Sequence, residues 1–249
     1  MRLASLGSGS KGNATLIQAE HTTLLVDCGF SRAECERRLQ RLQVAASDID
    51  AILVTHEHGD HGSGVRRLAG HHDIPVYTSV GTARALEITH FNPLSGEQEL
   101  AIGDIGIRAV TVPHDAAEPV QFVFTEMARQ RRFGLLTDSG RVTNHMKEIY
   151  SSLDGLLLEF NYDEEMLWNG PYPPGLKQRI SGGFGHLSNS QSMQLLEQVD
   201  RVRLGCLIAA HLSEKNNSPE IVSDLLRQLD FATSPLVACQ QQGFEWVEV

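Results

Sequence analysis

The chain of 249 residues has little cysteine, no long apolar run and a shortage of positive charge. Its four cysteines, Cys28, Cys35, Cys206 and Cys239, lie far apart and form no C-x-x-C pair. This spacing argues against a disulfide framework or a zinc ribbon and favours reduced thiols. No apolar run is long enough to cross a membrane, and the N-terminus becomes glycine-rich too early to be a signal peptide. The sequence therefore predicts a cytoplasmic protein without a membrane partner.

Positive charge is scarce, because 21 Lys and Arg against 31 Asp and Glu give a formal net charge of −10 at pH 7. Such a balance disfavours a protein that holds nucleic acid by bulk electrostatics. Bound divalent metals would offset part of the charge where a phosphate must sit. Small basic clusters, such as Arg129, Arg131 and Arg132, are interpreted as solvated surfaces.

Two common nucleotide-binding motifs are also missing. The sequence has no strand-end G-x-G-x-x-G for a dinucleotide. The glycine-rich loop 7–13 resembles a Walker loop only superficially, because Lys11 precedes a glycine and a strand follows. The loop is either a flexible β-connection or a lip whose backbone N–H groups and Lys11 approach an anionic substrate.

The most informative stretch is Thr55-His56-Glu57-His58-Gly59-Asp60-His61, which follows the apolar run 51–54. A β-strand that ends here delivers imidazoles and a carboxylate to a loop, where the chain can bend them towards one point. Clusters of histidine and carboxylate are typical of metal sites. We therefore expect a metal ion at this loop.

Other apolar strands also end at candidate ligands, namely at His114, Asp138, Glu159 and His211. If these strand ends share one edge, that edge collects all of them. Imidazole and carboxylate together suit Zn²⁺, Mn²⁺ or Fe²⁺. Asp27 lies at the end of another strand, and Asp115 is next to His114. Both are candidates for an outer partner that orients a metal-binding histidine.

The predicted strands occur in two runs interleaved with helices, without a linker anywhere in the chain. This order predicts an α/β protein, an αββα sandwich of two mixed β-sheets with helices on the outer faces, in a single domain over residues 1–249. The proline-rich stretch 162–183 is predicted to be a long loop with short helices that forms part of the wall of the site. A capping box of Ser188 and Gln191 begins a predicted helix of about 189–200.

The stretch from Thr55 to His61 matches T-H-x-H-x-D-H, and the chain resembles the metallo-β-lactamase superfamily of binuclear hydrolases over essentially its whole length. The resemblance implies two divalent metal ions per chain. The first ion would be held by His56, His58, His114 and Asp138. The second would be held by Asp60, His61, Asp138 and His211.

Within the superfamily the chain is more similar to the phosphodiesterase branch. It departs from the ribonuclease Z pattern at Phe160, Asn161 and Leu187. It resembles the YycJ/WalJ (VicX) subfamily more closely, in four stretches: Gly9-Ser10-Lys11-Gly12-Asn13, His114-Asp115-Ala116, Gly185-His186-Leu187-Ser188-Asn189 and His211-Leu212-Ser213-Glu214-Lys215-Asn216-Asn217. Members of that subfamily are regarded as DNA exonucleases that act on 5′ ends, or as uncharacterised metal-dependent hydrolases.

The resemblance implies a metal-dependent phosphodiesterase, in particular a nuclease that acts as a DNA 5′ exonuclease. A hydroxide shared by the two metals would attack phosphorus, with Asp60 among the groups that hold it. His186 would donate a proton to the leaving oxygen, and Glu159 would orient its imidazole. The candidate substrate-binding residues are Lys11, Asn13, Ser188 and Asn216. The expected partner is nucleic acid or another phosphodiester, and a homodimer is left open.

Two other functions stay open from the sequence. A thioester or ester hydrolase of the glyoxalase II type would share the first motif and Asp138, but would not need Glu159 with His186. A non-enzymatic module that keeps a metal for stability would not need a spare histidine. His71 and His72 are expected to be exposed, and no chemistry is assigned to His21, His90 and His145.

Overall fold

Two seven-stranded β-sheets pack face to face in the computed structural model, which describes residues 1–231 and 233–249. The strands of the first sheet are β1 (Arg2–Gly7), β2 (Ala14–Ala19), β3 (Thr22–Val26), β4 (Ala51–Leu53), β5 (Val76–Thr78), β6 (Asn92–Pro93) and β14 (Phe244–Glu248). Their order is β14-β1-β2-β3-β4-β5-β6. The pairs from β14 to β3 are antiparallel, whereas those from β3 to β6 are parallel.

The second sheet repeats this plan with the next part of the chain. Its strands are β7 (Glu99–Ile102), β8 (Ile105–Thr111), β9 (Val120–Glu126), β10 (Arg131–Leu136), β11 (Gly155–Glu159), β12 (Cys206–Ala210) and β13 (Leu236–Val237). Their order is β13-β12-β11-β10-β9-β8-β7. The pairs from β7 to β10 are antiparallel and those from β10 to β13 are parallel. Both sheets are therefore mixed, as the sequence predicts.

The helices cover the two outer faces and one edge. They are α1 (Arg32–Arg41), α2 (Gly59–Gly62), α3 (Val65–His72), α4 (Val80–Ala85), α5 (Asn144–Ile149), α6 (Glu164–Asn169), α7 (Pro174–Ser181), α8 (Asn189–Gln198) and α9 (Pro219–Leu226), with a short 3₁₀ helix at Ala46–Asp48. Helix α8 is shorter than the predicted 189–200, because Val199 adopts an extended conformation at its C-terminal end.

Three apolar layers hold the sandwich together. Leu24, Leu53, Phe122 and Leu135 belong to the layer between the sheets. The outer face of the first sheet packs against apolar residues of α1 and α3, and that of the second sheet packs against α5, α8 and α9. Burial of these side chains stabilises the fold by about 25 cal/mol per Å² of apolar surface removed from water.

The strand directions bring the candidate ligands to one edge. Strands β3 and β4 run parallel, and so do β10, β11 and β12. The loops that follow these strands therefore begin on the same side of each sheet. None of the helices within the described residues has the length and apolar character needed to cross a bilayer.

Candidate metal centre

Three residues at this edge have left-handed backbone conformations immediately beyond their strands. The φ angles are 61° at Asp27, 50° at Asp138 and 56° at His211. Asp and His tolerate this region better than most residues, but it costs free energy that the surrounding structure must supply. At each of these residues the chain turns sharply, and the polar side chain is buried at the sheet edge.

The first group of potential ligands consists of His56, His58 and His114. Each offers a ring nitrogen, and these atoms lie within 4.8 Å of one another. His56 and His58 follow β4, whereas His114 follows β8 in the other sheet. The edge of the sandwich therefore joins histidines that are far apart in the sequence.

The second group consists of Asp60, His61 and His211, whose ligand atoms also lie within 4.8 Å of one another. Oδ2 of Asp60 lies 3.5 Å from Nε2 of His61 and 3.4 Å from Nε2 of His211. Asp138 lies between the two groups. One of its carboxylate oxygens is 3.0 Å from Nε2 of His61, and the other is 3.9 Å from Nε2 of His114.

Contacts behind the histidines fix which ring nitrogen faces the centre. Nδ1 of His61 lies 2.8 Å from Oδ2 of Asp27, and Nδ1 of His114 lies 2.9 Å from the backbone oxygen of Gly185. Nδ1 of His56 lies 3.0 Å from Oγ1 of Thr55. Metal-binding histidines commonly use one nitrogen in this way, which leaves Nε2 for the metal.

Asp27 anchors this arrangement in the first sheet. Its two oxygens accept hydrogen bonds from the backbone N–H and the hydroxyl of Thr55, both at 2.8 Å, in addition to the contact with His61. The loop 27–30 also packs closely on the motif, because a Cβ at Gly29 would lie 1.8 Å from the backbone oxygen of Asp60. Only glycine fits there.

Two buried atoms of the centre form no hydrogen bond of good geometry among the described residues. They are Nε2 of His56 and Oδ2 of Asp138, although the latter lies 3.0 Å from Nε2 of His61. A buried polar atom without a partner costs about 1–3 kcal/mol, so such atoms call for an explanation. A divalent cation would satisfy both. The mixture of imidazole and carboxylate donors suits Zn²⁺, Mn²⁺ or Fe²⁺, so these residues fit a metal site.

The ionisation of the centre also suits a cation. Burial alone would lower the pKa of His61, but Asp138, Asp60 and Asp27 raise it well above its usual value. Burial likewise opposes the charged form of His211, yet Asp138, Asp60 and Glu159 raise its pKa to about 10. The carboxylates around these imidazoles thus favour positive charge at the centre, as a site for a divalent cation requires.

His186 lies at the same edge but is held by a different partner. Its Nδ1 is 2.8 Å from Oε1 of Glu159, and the same oxygen is 3.1 Å from Nδ1 of His211. The other carboxylate oxygen of Glu159 accepts hydrogen bonds from the backbone N–H groups of Ser139 and Leu187, each at 3.1 Å. Glu159 is fully buried, so its orientation is fixed from both sides.

A cavity of about 370 Å³ opens over the centre and is lined by His58, Asp60, Asp138, His186 and His211. Its far wall includes Arg179, which donates a hydrogen bond of 2.6 Å to Oδ2 of Asp115. The other oxygen of Asp115 lies 3.6 Å from Nε2 of His114. A larger groove of about 710 Å³ lies beside α3 and β5 and includes none of these residues.

The sequence-based candidates for substrate binding are placed differently. Lys11 is exposed and forms an ion pair with Glu214, 2.5 Å between Nζ and Oε2. Asn13 is buried behind the motif, with its amide nitrogen 3.2 Å from Oδ2 of Asp60. Ser188 caps α8, and Asn216 is fully buried and donates to Oγ of Ser213. The cavity wall contains none of these four residues, whereas Ser10 and Ser213 do line it.

Two of the remaining histidines have unexpected partners. His72 is half-buried rather than exposed, because its Nε2 lies 2.8 Å from Oε1 of Glu36. Nε2 of His145 lies 2.8 Å from Oε2 of Glu97. Sequence reasoning missed both contacts, since their partners lie far away along the chain.

Known proteins resemble the chain over nearly its full length. Residues 22–208 match the family model for the beta-lactamase superfamily domain. The chain is 33% identical over 242 residues to the exodeoxyribonuclease YycJ of Bacillus anthracis, covering 93% of this chain and 91% of that protein. It is 36% identical over 225 residues to the exodeoxyribonuclease WalJ of Streptococcus pneumoniae serotype 2, covering 87% and 83% respectively.

The fold is also found among solved structures. The metallo-beta-lactamase fold protein YhfI from Bacillus subtilis matches with a TM-score of 0.76 at 17% identity, covering 99% of each chain. An identity this low concerns the fold alone. The αββα sandwich expected from the sequence is thus confirmed.

Proposed function

This chain belongs to the metallo-β-lactamase superfamily, in the family that contains YycJ and WalJ, and we propose that it is a binuclear metal-dependent phosphodiesterase that acts as a DNA 5′ exonuclease. It is a metal-dependent hydrolase of that superfamily, and its histidines and carboxylates are placed to bind divalent metal. We also propose that residues 1–249 form one domain, which the pairing of β14 with β1 supports.

Two metal ions are proposed, with Asp138 between them. His56, His58, His114 and Asp138 would hold the first, and Asp60, His61, Asp138 and His211 the second. The close groups His56, His58, His114 and Asp60, His61, His211 support this division. Asp138 has ligand atoms close to members of both groups, since it also forms one close group with His56 and His61 and another with Glu159, His186 and His211. When bound, such ions supply an activated water and withdraw charge from phosphoryl oxygens. Asp27 fixes His61 and the backbone oxygen of Gly185 fixes His114, so the ligands are oriented in advance.

The observation that carries the proposal is the pair formed by His186 and Glu159 beside these ligands. Burial alone would lower the pKa of His186, but the carboxylates of Glu159 and Asp138 raise it. The raised pKa favours the protonated imidazole, which is the form that could donate a proton to the oxygen that leaves phosphorus. Breaking a phosphodiester releases an alkoxide, which needs such a proton, whereas a thiolate leaving from a thioester does not.

The test compares two substrates, bis(p-nitrophenyl) phosphate and a thioester, each with Mn²⁺ and with Zn²⁺. We expect the protein to hydrolyse the phosphodiester in the presence of at least one of the two metal ions. This activity should be lost when a chelator is added. Hydrolysis of the thioester without hydrolysis of the phosphodiester would favour a glyoxalase II type of enzyme and refute the proposal. A chain that binds metal but hydrolyses neither substrate would support a non-enzymatic role.

A further inference from the structure

The far wall of the cavity is built by a segment that packs weakly on the rest of the protein. We call residues 168–184 the wall segment. It begins with the last two residues of α6 and contains the whole of α7. None of the residues of α7 is buried. Even so, Leu176, Arg179 and Ile180 of this helix line the cavity, together with Tyr172. A helix in which no residue is fully buried therefore lines the cavity together with the candidate metal ligands.

The wall segment also carries exposed aromatic side chains. Trp168 is 52% exposed and Phe184 is 56% exposed, and they stand at its two ends. Within residues 1–231 and 233–249, large apolar side chains with comparable exposure are few, and the others, Val80, Met127 and Val202, lie in separate parts of the chain. Tyr172 lines the cavity, and Phe184 immediately precedes Gly185, which also lines it. Trp168 lies four residues before Tyr172 in the chain. Exposed aromatic side chains in one short segment offer a surface for flat ligands.

Cationic groups accompany these rings. The guanidinium of Arg141 lies 5.4 Å from the centroid of the Phe184 ring, and Nζ of Lys177 donates a hydrogen bond of 2.7 Å to the backbone oxygen of Trp168. Arg179 is 60% exposed and is tied to Asp115. In a chain with a net charge of −10, these cations are concentrated where an anionic strand would pass.

The cavity thus has two unlike sides. One consists of imidazoles and carboxylates that fit metal and phosphate, and the other consists of Tyr172, Leu176 and Ile180 with Arg179. Its volume of about 370 Å³ lies within the range of small-molecule binding sites. Aromatic side chains stack on any base, because every base has a π-face, and arginine adds cation–π attraction.

From this arrangement we propose that the wall segment binds unpaired nucleobases, with Tyr172, Trp168 and Phe184 as stacking residues, so that the substrate strand is single-stranded where it enters the centre. This inference rests on the proposed phosphodiesterase function and adds the substrate class to it. Arg179, Lys177 and Arg141 would contact the backbone of the strand on the same side. The bases, and not only the phosphates, would then contribute to binding.

Binding is measured with two strands of equal length, one of thymidines and one of abasic sites, which carry the same phosphates. Fluorescence anisotropy is measured on the metal-loaded His186→Ala variant, in which slow cleavage keeps the strands intact. We expect the thymidine strand to bind about tenfold or more tightly than the abasic strand, since stacking contributes about 1–3 kcal/mol per base. The double variant Trp168→Ala, Phe184→Ala should lose most of this difference. Met127→Ala, which removes an equally exposed apolar side chain elsewhere, should retain it.

Tryptophan emission gives a direct readout of contact. The chain has two tryptophans, and Trp246 is occupied by a hydrogen bond to the backbone oxygen of Leu42 and by Arg2 above its ring. In a Trp246→Phe background the emission comes from Trp168 alone. The thymidine strand should quench it, and the abasic strand should not. Tyr172→Phe should bind the thymidine strand as the wild type does, whereas Tyr172→Leu should weaken it.

Failure of this inference is distinguishable from failure of the proposed function. If both strands bind equally, or if the double variant weakens both to the same extent, the stacking surface is refuted, while metal-dependent cleavage of either strand still supports the phosphodiesterase. If neither strand is cleaved in any metal, the proposed function fails. The wild type could also form a dimer that dissociates in Trp168→Ala, while the thymidine and abasic strands bind equally. That result would assign the surface to self-association and overturn the inference. A blunt duplex that binds more tightly than the single strand would overturn it as well.

Discussion

Oε1 of Glu159 lies 2.8 Å from Nδ1 of His186 and 3.1 Å from Nδ1 of His211, so one buried carboxylate holds both the proposed proton donor and a proposed metal ligand. Its second oxygen is held by two backbone N–H groups. Because the carboxylate cannot rotate without losing these bonds, it fixes both imidazoles with respect to each other.

Glu159→Gln keeps the shape of the side chain but removes its charge. Without the carboxylate the pKa of His186 falls towards its usual value, and the orientation of His211 weakens. We expect turnover of the phosphodiester to fall about 10–100-fold, as is usual when an outer partner of a metal-binding histidine is removed. Metal content and turnover are measured on the same sample. Unchanged turnover would show that Glu159 does not serve the chemistry.

His186→Ala separates a proton donor from a ligand. If His186 donates a proton, turnover of DNA, whose leaving alkoxide needs that proton, falls about 100-fold or more, the usual scale of acid–base catalysis, while the metal content stays that of the wild type. His145→Ala, which removes a surface histidine paired with Glu97, is the matched control and should leave both unchanged. Loss of metal from His186→Ala would instead make this histidine a ligand.

Asp27→Asn tests the support behind His61. The carboxylate accepts hydrogen bonds from Thr55 and contacts Nδ1 of His61, so the amide would leave part of this arrangement unsatisfied. We expect metal affinity to fall about 10–100-fold. Asp50→Asn is the control. The carboxylate of Asp50 accepts a hydrogen bond from the backbone N–H of Thr23 in the same sheet, and its replacement should leave metal affinity unchanged. Equal effects of the two variants on metal affinity would contradict the role of Asp27.

Asp138 is proposed to be shared by both ions, so Asp138→Ala should abolish the effect of metal on stability. A ligand that binds only the folded state stabilises it by about 2.7 kcal/mol at a concentration 100 times its Kd. Differential scanning calorimetry should show a higher Tm for the wild type with Mn²⁺ or Zn²⁺ and no such rise for the variant. A variant that keeps the full rise in Tm would show that the ions are held without Asp138.

Asp154 gives a prediction of pH dependence far from the metal centre. Burial alone would raise its pKa, but the backbone N–H of Arg132 and the guanidinium of Arg203 lower it. The ionised form therefore stabilises the folded state above the pKa of the unfolded chain, and this contribution is lost as the pH falls through the folded pKa. We expect Asp154→Asn to cost about 1–3 kcal/mol at neutral pH.

The difference in unfolding free energy between wild type and Asp154→Asn should shrink below about pH 4, where the unfolded side chain takes up its proton. Urea unfolding at several pH values measures it. Asp224→Asn, on the exposed face of α9, should show little change at any pH. A difference that stays constant down to pH 2 would contradict the assigned interaction.

The sequence predicted the strands that end at candidate ligands, because apolar runs followed by His or Asp are local patterns. It also predicted the two-sheet architecture, since the runs of strands and helices alternate along the chain. It could not predict that β14 returns to pair with β1, because strand pairing is not encoded locally. The left-handed conformations of Asp27, Asp138 and His211 likewise depend on the packing around them.

Within the site, the contacts that lie behind the ligands were only partly visible in the sequence. Asp27 was proposed as an orienting residue, and it contacts His61 as that proposal requires. The backbone oxygen of Gly185 and the backbone N–H groups of Ser139 and Leu187 carry no side-chain signal, so no pattern could reveal them. Ser188 and Asn216 were proposed as substrate contacts, but the fold uses them for a helix cap and a buried loop.

The most direct test is a nuclease assay on end-labelled single- and double-stranded DNA and RNA with a series of divalent metals. The account predicts metal-dependent release of nucleotides from the 5′ end of DNA, its loss in a chelator and its reduction by about 100-fold in His186→Ala. If no strand is cleaved in any metal, while the metal-loaded protein hydrolyses a thioester, the account is wrong.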